Sequence, residues 1–256
     1  MAVRNSRYRR RRGRSGFLYK LLSVLLILAA VIAGCIVFFR VEEITVKGST
    51  VYTDEQVAAA AGVEQGDNLF LVNKILVGRK IVSQLPYISE VNLRRVLPKE
   101  LVFTVTECTP VGIVQGEDGS WWVLDTRCKL LEQGGSELES RYPVITGLTP
   151  LLPDEGEKLA VSVEESAKLN ALKQILAALE NQDMLERVRY VDLTGAADIY
   201  IGYDDRFDVR MALYSDNFDY LILVVRQAAA SERLIGQTGT LDLTFDDGSA
   251  AHFIPD

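Results

Sequence analysis

The chain has 256 residues, 48% apolar and 25% charged, which suits a globular protein with a sizeable core and excludes wholesale disorder. Its 28 basic and 35 acidic side chains are unevenly placed: residues 1–20 hold eight basic ones (Arg4, Arg7, Arg9, Arg10, Arg11, Arg12, Arg14, Lys20) and no acid, so the rest carries a formal charge of −15. That split excludes one cytosolic domain. An acidic body also repels phosphate, which excludes nucleic-acid binding by the bulk of the chain.

After the basic tail (residues 1–16), residues 21–39 read LLSVLLILAAVIAGCIVFF, without a charge. Extended back to Phe17, the stretch matches a hydrocarbon core of about 30 Å at about 1.5 Å per helical residue. Residues 17–39 are therefore expected to be a transmembrane helix. The positive flank expects the N-terminus in the cytoplasm and residues 40–256 on the far side, a single-pass type II topology. Rival readings are a cleaved signal peptide and a lipoprotein processed at Cys35 within Ile32-Ala33-Gly34-Cys35. The first is opposed by length and by the absence of a clean A-x-A site. The second is opposed by the apolar Ile36-Val37-Phe38-Phe39 where a polar tether is expected. Arg11-Arg12 lacks the pattern of twin-arginine export. The arginine run is read as a topology signal on a disordered tail, with anionic lipid or RNA as the rival.

Residues 41–48 read as a β-branched strand ending at Gly48. Thr53-x-x-Gln56 is a capping box opening a short helix that Gly62 ends. Leu71, Ile75, Gly78, Val82 and Leu85 recur at helical spacing, predicting a second helix with these residues on its apolar face, stopped by Pro86. Residues 91–97 form a strand, Pro98-Lys99-Glu100 a turn, and Leu101, Phe103 and Val105 alternate in the next strand. The order β-α-α-β-β predicts a small domain with two helices on a three-stranded sheet, over residues 41–109.

A second domain is expected over residues 110–256. Gly116-Glu117-Asp118-Gly119 is a hairpin turn, residues 121–125 an aromatic strand and residues 133–140 a polar loop. Residues 162–181 predict a helix with Leu169, Leu172, Ile175, Leu176 and Leu179 on one side. Strands are expected at 188–193, 199–202 and 207–213, the last with one buried and one wet face. Ser215 is expected to cap a helix over 216–231. Leu241, Leu243 and Phe245 alternate in a strand, Asp246-Asp247-Gly248 turns, and residues 250–254 close the chain as a final strand. The fold class is α+β: a transmembrane helix, a β-α-α-β-β domain, then a mixed β domain with two helices on its sheet.

Five segments carry a resemblance: VEEITVKGST at the span exit, LPYISEVNLRRVLPKELVFTVTECTPVG, WWVLDTRCKLL, YPVITG and GTLDLTFDDGSAAHFIPD. In this order behind an anchor, the whole chain resembles the FtsQ/DivIB family of bacterial cell-division proteins, with a POTRA-like first domain. It departs from the family where the glycine after the "liD" pattern is replaced around Arg127-Cys128. The lysine that commonly opens the late helix is also missing, with Asn217-Phe218-Asp219 near its place. The resemblance implies a non-enzymatic scaffold at the septum. Its implied partners are FtsB/DivIC-type and FtsL-type single-span proteins, with septal peptidoglycan synthases beyond them.

A scaffold can act through an unpaired sheet edge that accepts a partner strand. The closing strand, with small Ala250 and Ala251, is the candidate, and by resemblance the partner contacts are Phe245, Ala250, Ala251, Phe253 and Ile254. The plainer alternative is that Phe245 and Phe253 fill the core. Arg94 and Arg95 are a weaker second partner surface, a solvated basic patch being the alternative. No catalytic residue, cofactor or metal is expected. His252 is the one histidine and has no G-x-S-x-G elbow to serve. Asp204-Asp205 and Asp246-Asp247 sit in turns rather than as a paired-acid site. Cys108 and Cys128 lie where a disulfide is permitted, and are expected to stay free. An exported wall enzyme, a lipoprotein adaptor and another POTRA-bearing assembly factor remain the rivals.

Overall fold

In a computed structural model, the chain is described over residues 15–245 and 250–256. The arginine run up to Arg14 and the Asp246-Asp247-Gly248 turn lie outside the described residues. A long apolar helix, α1 (Ser15–Phe38), comes first. Within it Phe17–Phe38 is long and apolar enough to cross a membrane, and none of it is buried.

The next unit is β1 (Glu43–Lys47), α2 (Asp54–Ala61), α3 (Lys74–Gln84), β2 (Ile88–Val96) and β3 (Glu100–Glu107). The sheet order is β1-β3-β2, with β1 parallel and β2 antiparallel to β3. The capping box at the start of α2 is present in both halves, and Gly62 ends that helix with φ +64°. Val57, Leu69, Val77, Ile81, Ile88, Leu101 and Phe103 form its core.

The apolar face expected of the second helix needs correction. Val77 and Ile81 are buried, whereas Leu71 and Ile75 are 78% and 71% exposed. Ile75 obeys the helical period but sits on the side of α3 away from Val77 and Ile81, and Leu71 lies in the turn ahead of the helix. Asn73 rather than an earlier residue caps the helix, its side chain accepting from the Ile75 and Leu76 N–H groups.

The larger unit contains β4 (Pro110–Gln115), β5 (Trp121–Asp125), β6 (Leu130–Gly134), β7 (Val144–Thr146), α4 (Ser166–Asn181), β8 (Val188–Asp192), β9 (Asp198–Tyr203), β10 (Phe207–Ala212), α5 (Phe218–Ala229), β11 (Gly239–Asp242) and β12 (His252–Pro255). They make one nine-stranded sheet ordered β12-β11-β10-β9-β8-β7-β4-β5-β6. Parallel neighbours cannot be joined by a tight hairpin and need a crossover. Both helices serve as one: α4 joins parallel β7 and β8, and α5 joins parallel β10 and β11. One core under the two helices runs from Leu172, Ile175 and Leu179 to Phe218, Leu221 and Val225.

Several boundaries differ from expectation. The polar segment 133–140 holds the end of β6 and a 3-10 turn, Ser136–Ser140. The late helix is capped by Asn217, whose side chain accepts the Tyr220 N–H, and not by Ser215. The last two strands also shift. β11 ends at Asp242, because the Asp242 carboxylate takes the N–H and hydroxyl of Thr244 and turns the chain. β12 starts at His252, so Ala250 and Ala251 precede it.

The two sheets are joined at a packed seam. Tyr87, just ahead of β2, packs with Tyr142 onto Trp121, Ile113, Leu131 and Leu138. Lys129 from the turn ahead of β6 donates to the carbonyls of Val82 (3.2 Å), Pro86 (2.8 Å) and Ile88 (3.0 Å). The Val82 carbonyl needs such a donor. Its helical partner would be residue 86, and proline has no N–H. Burial holds the Lys129 ammonium below the ordinary lysine pKa.

Candidate partner-binding edge

The edge is built by β11, which borrows its first bond from β10. The Gly239 N–H donates to the Arg206 carbonyl (3.0 Å), and four residues on the Leu243 N–H donates to the Arg210 carbonyl (2.9 Å). Odd-numbered residues of β11 therefore face β10, and Thr240 and Asp242 face β12. Strand β12 pairs Thr240 with Ile254 and Asp242 with His252. The Asp256 N–H, on the same ladder, donates to the Thr238 carbonyl (3.4 Å). Alternation in an antiparallel ladder then points the Phe253 N–H and carbonyl outward, and the same alternation carried one step ahead of the strand would put Ala251 in that row. Pro255 takes the third outward position. Proline is tolerated where the missing N–H would have faced away from the sheet. Glycine at 239 is required: its φ is +151°, and a Cβ there would sit 2.2 Å from the Ile254 carbonyl oxygen.

The two ends of the nine-stranded sheet are not equivalent. At the β6 end, the chain covers itself. The Leu130 N–H donates to Glu157 and the Gly156 N–H to Leu130, both at 2.8 Å, and Lys129 bridges to Lys158. At the β12 end no further strand pairs among the described residues.

The candidate residues divide as follows. Phe253 is half-buried, its ring edge-on to buried Phe207 at 6.2 Å, so side chain and backbone do different work. Ala251 is half-buried against the same core, and Ala250 is exposed. Ile254, 52% exposed, lies on the opposite face of the strand from Phe253. Phe245 is 54% exposed and its ring meets that of His252 at 5.4 Å, so it does not fill the core.

Arg94 is exposed on β2. Arg95 is pinned: its Nε donates to the Leu69 carbonyl (2.6 Å) and its Nη2 to Val72 (2.7 Å). Beside β2 and α3 lies a cleft of about 880 Å³ lined by Ile75, Gly78, Val82, Val91 and Leu93 among others.

Supporting residues escaped the sequence reading. Buried Asp242 receives Arg210 Nη1 (3.1 Å), while Arg210 Nη2 reaches Asp198 (2.5 Å). Burial would raise the Asp242 pKa, but bonds from Thr244 and the Arg210 charge outweigh it and the net shift is downward. This network locks the corner leading from β11 to the edge. The signal was the aspartate inside Leu241-Asp242-Leu243, a buried polar position between two apolar ones. Asp125 does the same at the β5 turn, accepting the N–H groups of Arg127 (2.9 Å) and Lys129 (2.7 Å). Cys128 occupies the left-handed region there at φ +57°, where the resembled pattern has glycine. Burial pushes the Cys108 thiol up to about 11 and that of Cys128 up to about 12, and both are free. Among the described residues no group of three or more His, Cys, Asp or Glu side chains is placed to hold a metal.

An apolar N-terminal helix, a β-α-α-β-β module and a mixed sheet carrying two helices make this a protein of the α+β class. Residues 39–107 match the family model for the POTRA domain, FtsQ-type. The cell division protein FtsQ of Corynebacterium glutamicum is 27% identical over 198 residues, 77% of this chain and 82% of that protein. The FtsQ of Geotalea daltonii is 31% identical over 121 residues, 46% of this chain and 42% of its own length. The FtsQ of Streptomyces coelicolor is 42% identical over 76 residues, 30% of this chain and 29% of its own length. Over most of its length the chain is thus similar to a cell division protein FtsQ, and its first domain matches the FtsQ-type POTRA model.

Proposed function

We propose that the protein is a bitopic division scaffold with residues 1–16 in the cytoplasm, a span over 17–39, and extracytoplasmic domains over 41–109 and 110–256. It gathers at the septum, binds FtsB/DivIC-type and FtsL-type partners, and links them to septal peptidoglycan synthesis. The observation that carries the reading is the outward row of β12. A partner strand laid along it takes its first hydrogen bonds from Phe253 and Ala251. Phe245 and Ile254 offer side-chain contact on either side, and exposed Ala250 leaves room for close approach. Arg94 is the accessible member of the weaker second surface, and Arg95 supports the loop behind it.

Ala251→Pro tests the reading. It deletes one outward donor and leaves the bonds of His252 and Ile254 to β11 untouched. Co-purification of the coiled-coil partner should fall at least tenfold relative to Ala251→Ser, at equal protein level. Equal recovery of the partner by the two variants rejects the edge-strand reading.

A further inference from the structure

The misplaced apolar face of α3 has a neighbour. The segment before α3 is bonded to the exit of α1. The Leu69 N–H donates to the Phe39 carbonyl (3.0 Å), the Val41 N–H to Asp67 (2.8 Å) and the Gly66 N–H to Val41 (2.8 Å). Arg40 and Asn68 form a bridge. The Asn68 Nδ2 donates to the carbonyls of Ile36 (3.2 Å) and Cys35 (3.4 Å), capping the end of α1. The Phe70 ring stands edge-on to Phe39 at 5.0 Å. On the inner side, the Arg95 guanidinium fixes Leu69 and Val72.

This loop and the first turn of α3 show four large apolar side chains to the outside: Phe70 (53% exposed), Leu71 (78%), Ile75 (71%) and Leu76 (54%). An exposed apolar patch of this kind marks an interaction site. Its position names the occupant. Phe70 touches the residue that follows the last turn of α1, so the patch begins at the depth where the span leaves the hydrocarbon. α3 carries Lys74, Arg79 and Lys80 and no acid, all three exposed, which suits lipid headgroups. The nearest acids on the loop, Glu64 and Asp67, lie at its other end, where the Asp67 carboxylate accepts the Glu64 N–H (3.0 Å).

We propose that Phe70, Leu71, Ile75 and Leu76 insert into the outer boundary of the bilayer that α1 crosses, seating the POTRA domain on the lipid surface. The proposal rests on reading α1 as a membrane span. The domain is then held by two attachments, the capped helix end and the apolar wedge, and its tilt is fixed. Pinning by Asn68 and Arg95 makes the wedge rigid before it meets lipid, so little ordering cost remains at insertion.

The test uses the full chain in phosphatidylcholine vesicles with one-fifth phosphatidylglycerol. An environment-sensitive fluorophore is placed on Leu71→Cys or Ile75→Cys, in a Cys35→Ala background with Cys108 and Cys128 buried. Leu28→Cys, in the middle of α1, and Leu152→Cys, fully exposed on the larger unit, are the references. The Leu71 and Ile75 probes should be quenched by lipid-borne nitroxide at least threefold more than the Leu152 probe, and shielded from aqueous iodide. Lipid quenching equal to that at Leu152 overturns the proposal, and so does iodide shielding without lipid quenching, which would assign the patch to a protein neighbour. If the Leu28 probe itself escapes lipid quenching, the span reading fails first.

Discussion

Replacing Lys129 by methionine should loosen the seam between the two sheets. The ammonium makes three bonds of 2.8–3.2 Å to carbonyls of α3, the turn after it and the start of β2. Bonds to a charged donor contribute about 1.5–3 kcal/mol each before desolvation. Burial opposes them and pulls the lysine pKa down. Methionine keeps the volume and removes both the charge and its desolvation cost. What remains is the penalty for carbonyls left unpaired, above all Val82, which Pro86 cannot serve. That gives a loss of about 2–4 kcal/mol. Arginine should not rescue, because a planar fork cannot meet three carbonyls gathered around one ammonium. Urea unfolding of the full chain in micelles, followed by the buried Trp121 and Trp122, measures it. A change below about 0.5 kcal/mol for Lys129→Met would refute the reasoning.

Gly239→Ala should push β12 off β11, since the added Cβ would meet the Ile254 oxygen at 2.2 Å. Partner recovery should drop at least tenfold while unfolding of the α4–α5 core shifts little, and undiminished recovery would contradict it. Glu107 should make the first domain acid-sensitive. Burial would raise its pKa, but bonds from the Thr50 hydroxyl, the Val51 and Thr50 N–H groups and the Ser49 hydroxyl outweigh it and hold the carboxyl at about 2. The folded value lies below the unfolded one, so this contribution is full above about pH 4.5 and fades as pH falls towards 2. Glu107→Gln should flatten that part of the stability profile, as read by denaturant midpoints at several pH values.

Local signals in the sequence carried much of the architecture. Thr53, Gln56 and Gly62 bounded α2 because capping is a short-range event. Glu107, quoted only within the second of the five resembling segments, proves to tie the loop at 49–51 to the end of β3. Three-residue β7 is too short to have a period and was visible only as a motif. The face of α3 was misread because Leu71 and Ile75 share the spacing of core residues, and periodicity does not say which neighbour a face meets. The candidate edge was legible as a closing strand. Its working rows were not, because the outward set depends on the register with β11, and that register follows from long-range bonds of Gly239 and Leu243 to β10.

The most direct measurement of the central claim is hydrogen exchange of residues 250–256 in the full chain, reconstituted in a lipid bilayer with and without its coiled-coil partner. His252 and Ile254 are already bonded to β11 and Pro255 has no amide proton, so Ala251 and Phe253 hold the outward protons that can respond. The account predicts that their exchange slows at least tenfold when the partner is added. Unchanged exchange there, with protection arising only elsewhere on the body, would contradict it.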